Sequence, residues 1–118
     1  MLSDALRRCS HAHPAGFREI AAREAQTHLG ALRLVDVRES DEFVGELGHV
    51  AGAALTPLRT VPAVCSTWGR DEAILLICRS GARSGQAAAF LARQGFSAVF
   101  NLTGGMISWN GHGLPIVR

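Results

Sequence analysis

A cysteine in a short loop between an apolar segment and a helical pattern carries the chemistry that this sequence suggests. Cys78 follows the apolar run 74–77. The loop after it contains a glycine and two arginines, Arg79, Gly81 and Arg83. A strand, a tight loop and a helix N-terminus together present backbone N–H groups to an anion. The same groups can hold a cysteine as the thiolate, which is its nucleophilic form, so we expect Cys78 to be a nucleophile.

The composition of the loop also argues against a simpler interpretation of this cysteine. Cysteine is among the most frequently buried residue types, and Cys78 alone would be interpreted as a small core side chain at a strand end. Two cations within five residues reverse that interpretation, because a core cysteine does not need them. The cations can instead bind the oxygens of an anion such as thiosulfate or sulfite. The predicted substrate-binding residues are Arg79, Ser80, Gly81, Ala82, Arg83 and Ser84.

The side chains of the loop differ in the roles that their positions favour. Arg83 closes the loop at the start of the predicted helix, which favours a fixed structural and electrostatic role. Arg79 directly follows the cysteine, which favours a mobile position at the rim, and either arginine can face the substrate. Ser80 and Ser84 can donate hydrogen bonds to sulfur or oxygen, or can cap the helix. Gly81 allows a tight turn without a Cβ atom inside the loop.

Length, composition and charge exclude several classes of protein. The chain has 118 residues, of which 47% are hydrophobic and 19% charged. These values fit one globular domain with a hydrophobic core. The net charge is +2, and no basic cluster is interleaved with aromatic residues, so nucleic-acid binding is not indicated. No apolar stretch approaches transmembrane length and no apolar segment follows Arg7-Arg8, so neither a membrane span nor a secretory signal is predicted.

The number and spacing of the cysteines bear on metal binding and location. Cys9, Cys65 and Cys78 are widely spaced and form no CxxC pair. The pattern therefore predicts neither a disulfide framework nor a zinc ribbon, and it favours a reducing cytoplasm. Cys9, His11 and His13 do not have a standard zinc spacing, so we expect no metal there. We expect no cofactor, and no role in catalysis for Cys9 or Cys65.

Strand and helix patterns alternate along most of the chain. The predicted strands cover residues 17–20, 32–37, 51–55, 74–77 and 98–102. The predicted helices cover residues 21–29, a short segment capped by Ser40, residues 58–68, a segment from Ser84 to Gly95, and a segment from Gly104 to Trp109. The alternation predicts an α/β fold with a mainly parallel sheet and helices on both faces. Ligands of such sheets bind at the carboxyl ends of the strands, where Cys78 lies.

Residues outside the loop have predicted structural roles. Asp36 and Arg38 stand at the end of the second predicted strand, and we interpret them as a buried ion pair that holds neighbouring loops. His49 is interpreted as a structural hydrogen-bonding residue. Residues 1–16 show no sustained period, so we expect a mobile lead-in with one helical turn, followed by a single domain over residues 17–118.

Three blocks of the sequence carry a resemblance to a known family. The loop 78–84, Cys-Arg-Ser-Gly-Ala-Arg-Ser, resembles the active-site loop of rhodanese-type sulfurtransferases. Residues 36–39, 42–43 and 48–53 are similar to the first signature of that family. The segment 95–115, with Gly104-Gly105 and Trp109, resembles its closing segment. The blocks keep the order of the family from residue 17 onward, and the resemblance implies a three-layer α/β/α fold with a five-stranded parallel sheet.

The resemblance implies transfer of sulfane sulfur from thiosulfate to a thiophilic acceptor. Cys78 would take the outer sulfur as a persulfide, release sulfite, and pass the sulfur to cyanide or a thiol. One alternative is a carrier module that relays persulfide sulfur between a protein donor and a protein acceptor. A second alternative is a noncatalytic interaction domain, which this fold class also hosts. The intact cysteine and both arginines argue against the second alternative.

The length of the loop separates sulfur transfer from phosphate ester hydrolysis. Four residues separate Cys78 from Arg83, whereas the cysteine phosphatases that the loop resembles have five. A tetrahedral phosphoryl group has three equatorial oxygens to be held around the sulfur, which needs a wide loop, whereas a single sulfur atom fits a tighter one. No aspartate is evidently placed as a general acid for an alkoxide leaving group. The sequence therefore favours sulfur transfer.

Overall fold

Strands and helices alternate along the chain, as the sequence predicts. The structure is a computed structural model that describes residues 2–118. Its strands are β1 (Ser10–Ala12), β2 (Arg18–Ile20), β3 (Arg33–Asp36), β4 (Ala54–Leu55), β5 (Ala73–Ile77) and β6 (Ala98–Leu102). Its α-helices are α1 (Asp4–Arg8), α2 (Ala22–Gln26), α3 (Ser40–Phe43), α4 (Val61–Val64), α5 (Ala82–Arg93) and α6 (Gly105–Gly111). Short 3-10 turns cover Leu29–Ala31, Leu58–Thr60 and Cys65–Thr67.

The strands form one sheet in the order β1-β2-β6-β5-β3-β4. All neighbouring strands are parallel except β1 and β2, which are antiparallel. The predicted five-stranded parallel sheet is therefore present, and β1 adds a sixth strand at its edge. Since β5 lies between two parallel neighbours, its side chains are buried on both faces, which explains its continuous apolar sequence.

Alternate side chains of β5 enter two separate hydrophobic clusters. Ile74 and Leu76 pack on one face with Leu91 of α5. Leu75 and Ile77 pack on the other face with Trp109 of α6. Each buried aliphatic side chain of this size contributes about 1.5–3 kcal/mol to folding. The strand that precedes Cys78 is thus fixed from both sides.

Residues 2–16, which lie in the predicted lead-in, contain a helix and a strand. Helix α1 supplies the expected helical turn, but β1 then pairs with β2 along its length. Leu6 is buried in the cluster that contains Trp109. The Ser10 hydroxyl accepts a hydrogen bond from Arg18 Nε at 2.7 Å. A three-residue strand at a sheet edge has too few residues to show a hydrophobic period, which is why the pattern is not visible in the sequence.

Several predicted bounds are also corrected by the structure. The helix predicted over residues 58–68 is broken into α4 and two 3-10 turns, because prolines and β-branched residues are poor helix formers. The strand predicted over residues 51–55 is reduced to β4. The N-cap of α3 is Glu39 rather than Ser40, and its backbone N–H donates to Glu42 Oε1. Helix α5 begins at Ala82, two residues before Ser84. In the described residues, no helix is long and apolar enough to cross a membrane.

Candidate active site

Cys78 directly follows β5 at the carboxyl edge of the parallel sheet, with its side chain enclosed by the loop that follows. The residue is only 1% exposed. Its Sγ atom accepts a hydrogen bond from the backbone N–H of Gly81 at 3.1 Å. The Ser84 hydroxyl oxygen lies 3.2 Å from the same sulfur. The sulfur therefore faces donors from both the loop and the first turn of α5.

The N-terminus of α6 holds the loop in the orientation that turns these donors toward the sulfur. The backbone N–H groups of Met106 and Ile107 donate to the carbonyl oxygens of Cys78 and Arg79, at 2.9 and 3.0 Å. Gly105 allows this approach, because a Cβ atom there would lie 2.4 Å from the Cys78 carbonyl oxygen. The carbonyl groups of Cys78 and Arg79 thus point toward α6, and the backbone N–H of Gly81 is left for the thiol.

Gly81 makes the tight turn between Cys78 and α5. Its φ angle is +103°, a left-handed value that favours glycine. Gly81 is also the N-cap of α5, a helix of 12 residues whose dipole places partial positive charge at this end. The loop and the helix N-terminus therefore form one anion-stabilising environment around Cys78.

This environment changes the acidity of the Cys78 thiol. Burial is the largest single influence, and it raises the pKa. The hydrogen bonds from the Ser84 side chain and from the backbone of Ser84, Gly81 and Ser80 lower the pKa, and together they outweigh burial. The pKa of Cys78 therefore lies below that of an ordinary cysteine, which increases the fraction of thiolate at neutral pH.

Arg83 contacts a carboxylate rather than the open side of the loop. Its guanidinium donates two hydrogen bonds of 2.7 Å to Glu42 of α3. Hydrogen bonding by Arg83 is the main reason why the pKa of Glu42 falls to about 2. The same hydrogen bonds raise the pKa of Arg83. The sequence analysis did not identify Glu42 as a site residue, although an acidic residue in the first turn after β3 lies at the same sheet edge as Cys78.

Arg79 is placed differently from Arg83. It is exposed, and within residues 2–118 its guanidinium has no hydrogen bond or ion pair. It lines a cavity of about 310 Å³ beside the loop. The other lining residues are Arg38, Asp41, Glu42, Gly45, Glu46 and Leu47. Arg79 is thus the arginine of the loop whose charge is available to a ligand.

Asp36 and Arg38 form a buried ion pair at the end of β3. Arg38 donates to both carboxylate oxygens of Asp36, at 2.9 and 2.8 Å. It also donates to the carbonyl oxygens of Gly48 and Glu42. These contacts join β3, α3 and the segment around residue 48. The geometry suits the structural role expected of the pair, and removal of one partner would cost about 3–5 kcal/mol.

His49 has contacts that suit a structural residue. Its Nδ1 atom lies 2.8 Å from the Phe43 carbonyl oxygen. Since a carbonyl oxygen only accepts, Nδ1 must carry the proton. The ring stacks on Phe43 at a centroid distance of 3.5 Å. Backbone hydrogen bonds in both directions join His49 to Val117.

A second polar group behind the loop was not identified from the sequence. Asn101 of β6 is 3% exposed and accepts a hydrogen bond from the Ser84 hydroxyl. Its amide nitrogen donates to the Gly81 carbonyl oxygen at 3.1 Å and to the Glu19 carboxylate at 3.2 Å. The signal that could have revealed it is a polar residue inside the otherwise apolar strand 98–102.

The thiols of the other two cysteines have their hydrogen-bond partners outside the loop. Cys65 is buried in the hydrophobic cluster of α5, and its thiol lies 3.5 Å from the Pro62 carbonyl oxygen. The Cys9 thiol lies 3.6 Å from the Leu6 carbonyl oxygen. His13 stacks on Phe17. Over residues 2–118, no three His, Cys, Asp or Glu side chains are grouped as a metal ion would require.

Comparisons with known proteins agree with this geometry. The family profile described as Rhodanese-like domain matches residues 21–112. A protein of Allochromatium vinosum named Sulfurtransferase is 44% identical over 84 residues, which cover 71% of this chain and 77% of that protein. The putative sulfur carrier protein YrkF of Bacillus subtilis is 37% identical over 81 residues. That match covers 69% of this chain but only 43% of YrkF.

The fold comparison identifies the same class of domain. The crystal structure of a rhodanese-related protein from Thermoplasma volcanium has a TM-score of 0.76 and 30% sequence identity with this chain. The superposition covers 84% of this chain and 96% of that protein. The profile match and the structural match both describe rhodanese-type domains, and the profile match contains the loop 78–84.

Proposed function

The chain belongs to the family of rhodanese-like domains, and on that premise we propose that it transfers sulfane sulfur through a persulfide on Cys78. One observation carries the proposal. The Cys78 sulfur receives a backbone hydrogen bond at the N-terminus of α5, and its pKa is lowered despite burial. A lowered pKa leaves a larger fraction of Cys78 as the thiolate, which is the nucleophilic form.

The proposed reaction consists of two displacements at sulfur. The Cys78 thiolate attacks the outer sulfur of the donor, and a bond forms between the two sulfur atoms. The bond between the outer sulfur and the rest of the donor breaks, and its electron pair leaves with the leaving group. With thiosulfate as donor, the leaving group is sulfite. An acceptor such as cyanide or a thiol then attacks the outer sulfur of the persulfide and restores the Cys78 thiolate.

Thiosulfate is the small-molecule donor that we propose, and Arg79 is its binding residue. Arg79 is unpaired in the described part of the chain and lines the cavity beside the loop. Its guanidinium can bind two sulfonate oxygens. Arg83 is already bound to Glu42, so its role is to hold the loop and α3 together. This assignment separates the two arginines, which the sequence places together as substrate-binding residues.

Intact-mass measurement after thiosulfate treatment tests the proposal. We expect one added sulfur atom, removed by cyanide or a thiol. Cys78→Ser should not gain the sulfur, because the serine hydroxyl stays protonated, whereas the matched control Cys65→Ala should gain it as wild type does. Sulfur addition to folded Cys78→Ser, or its loss in Cys65→Ala, would contradict the proposed nucleophile.

A second candidate function is relay of persulfide sulfur between proteins, and the charge around the cavity favours it. Asp41 and Glu46 line the cavity, and neither forms an ion pair among the described residues. Arg83 neutralises Glu42, and Asp36 neutralises Arg38. Arg79 therefore shares the cavity with Asp41 and Glu46, whose two negative charges exceed its single positive charge. The excess negative charge repels a dianion but attracts a basic protein surface. The relative YrkF is named a putative sulfur carrier protein.

Neutralising these carboxylates distinguishes thiosulfate from a persulfide-carrying protein as the sulfur donor. The double variant Asp41→Asn, Glu46→Gln should use thiosulfate about two- to thirtyfold better, since each exposed charge contributes about 0.2–1 kcal/mol and the two together about 0.4–2 kcal/mol. It should accept sulfur more slowly from a persulfide-loaded protein with a basic surface. If the variant lost transfer from both donors equally, the carboxylates would have no role in donor choice.

A further inference from the structure

The hydrogen bonds of Asn101 determine which end of its amide faces Ser84. Its Nδ2 atom lies 3.1 Å from the Gly81 carbonyl oxygen and 3.2 Å from a Glu19 carboxylate oxygen. Both of these oxygens only accept hydrogen bonds, so the NH₂ end of the amide must face them. The Oδ1 end therefore faces the Ser84 hydroxyl. Glu19 and Asn101 are paired residues of neighbouring strands, so this arrangement is part of the sheet register.

The Ser84 hydroxyl has two acceptors and only one proton. Its oxygen lies within hydrogen-bond distance of Asn101 Oδ1 and 3.2 Å from the Cys78 sulfur. When Cys78 is a thiol, the S–H group can donate to Ser84, and Ser84 can donate to Asn101, so every group is satisfied. When Cys78 is a thiolate, the sulfur and Asn101 compete for the same proton. The buried amide oxygen thus favours the protonated cysteine.

We propose that Asn101 is a positioning residue that draws the Ser84 proton away from the Cys78 thiolate. The sulfur then receives only part of the Ser84 hydrogen bond and relies more on the backbone N–H groups of the loop, so it stays more basic than a free Ser84 would leave it. A thiolate of higher pKa is the stronger nucleophile, and the best attacking thiol has a pKa near the ambient pH. Asn101 therefore lowers the fraction of Cys78 that is thiolate and increases the nucleophilicity of each thiolate. The proposal rests on the proposed role of Cys78 as the reacting sulfur.

Several charged groups lie on the elements around Cys78, and the test must leave them in place. Arg79 lies in the loop, and Arg83 lies on α5 in its ion pair with Glu42. The neutral pair of Asp36 and Arg38 ends the neighbouring strand β3. On the other side, the Glu19 carboxylate also accepts a hydrogen bond from Thr103 at 3.0 Å, so it keeps a partner when Asn101 is replaced.

The rate of Cys78 alkylation by iodoacetamide as a function of pH measures the pKa directly. The background is the full chain with Cys9→Ser and Cys65→Ala, so that Cys78 is the only thiol. Asn101→Ala should lower the pKa of Cys78 by about one unit, because a hydrogen bond to a charged group has about this effect. The matched control Asn110→Ala, whose amide donates to the Leu47 and Met106 carbonyl oxygens and not to Ser84, should leave the pKa unchanged.

A double-mutant cycle shows whether the effect passes through Ser84. In the Ser84→Ala background, Asn101→Ala should change the pKa by less than about 0.3 units, because no hydroxyl proton remains to be released. An equal fall in both backgrounds, or no fall when Ser84 is present, would overturn the proposal. Ser84→Ala by itself provides a test that does not depend on the folding of the Asn101 variant. It should raise the pKa by less than about half a unit, and a rise of one unit or more would contradict the competition.

The readout is independent of the sulfur-transfer reaction. Alkylation measures the acidity of Cys78 whether or not the protein accepts thiosulfate. If sulfur is never added to Cys78 but the cycle behaves as described, the proposed function fails and the role of Asn101 stands. If sulfur is added but the effects of Asn101→Ala and Ser84→Ala on the pKa of Cys78 are additive, the role of Asn101 fails and the proposed function stands.

Discussion

The ion pair between Glu42 and Arg83 should stabilise the active-site loop in a pH-dependent way. The two side chains are 27% and 34% exposed and form two hydrogen bonds of 2.7 Å. The change Glu42→Gln keeps the size of the side chain but removes its charge. Since α3 and the loop are joined by this contact, we expect the variant to fold with lower stability.

The expected loss of stability in Glu42→Gln follows from the lowered pKa of Glu42. Its pKa falls from 4.5 to about 2 in the folded protein. A fall of this size corresponds to at most about 3–4 kcal/mol, and solvent screening of a partly exposed pair reduces the contribution to about 1–2 kcal/mol. Because the pKa is depressed by folding, the stabilisation is fully present above pH 4.5 and is lost as the pH falls toward 2. The wild-type protein and the Glu42→Gln variant should therefore differ most in free energy of unfolding at neutral pH and become similar in acid.

Urea unfolding of both proteins between pH 7 and pH 3 measures this difference. The matched control is Glu72→Gln, which breaks the more exposed pair with Arg33. We expect Glu72→Gln to lower the free energy of unfolding by no more than about 1 kcal/mol at pH 7. A Glu42→Gln variant as stable as wild type at pH 7, or a difference that grows in acid, would refute the reasoning.

Four further predictions concern the site directly. Arg79→Ala should lower kcat/KM for thiosulfate by about 10- to 100-fold, the effect of losing a charge-assisted contact; full efficiency at low salt would show that this charge does not bind the donor. Gly105→Ala should lower the free energy of unfolding by more than about 3 kcal/mol, because its Cβ would lie 2.4 Å from the Cys78 carbonyl oxygen. The control Gly111→Ala should not lower the free energy of unfolding in this way, because a Cβ atom there has no such neighbour within 4 Å. In pH-dependent alkylation, Cys78 of the wild-type protein should titrate below the ordinary cysteine pKa, and its thiolate reactivity should fall as the pH drops through that value. Aryl phosphates should not be hydrolysed, and one glycine inserted after Ala82 should reduce sulfur transfer by widening the loop; steady phosphatase turnover that Cys78→Ser abolishes would contradict this choice.

The fold could be predicted from local patterns with limited errors. The apolar run before Cys78 indicated a central strand, and β5 is central because an isolated run of buried aliphatic side chains requires cover on both faces. The errors lie where a segment is short. Strand β1 and the turns around α4 are held by contacts with distant parts of the chain, and three or four residues carry no readable period.

The site was predicted where its parts are contiguous. Cys78, the turn at Gly81 and the start of α5 lie within a few residues, so their spacing in the sequence implies their geometry. The partners of Arg83 and Ser84 could not be predicted in this way. Glu42 lies 41 residues before Arg83, and Asn101 lies 17 residues after Ser84.

The sequence by itself determined the strand, the loop and the helix that present Cys78, because hydrogen bonds and steric limits within a few residues decide those structures. Only the tertiary structure decided that Arg83 is bound to Glu42, which leaves Arg79 as the loop arginine available to a ligand. It also decided that the Ser84 hydroxyl lies within hydrogen-bond distance of both Asn101 and the Cys78 sulfur. The physical reason is that parallel strands bring their carboxyl ends to one edge, and residues distant in sequence meet there with geometry that no local pattern records.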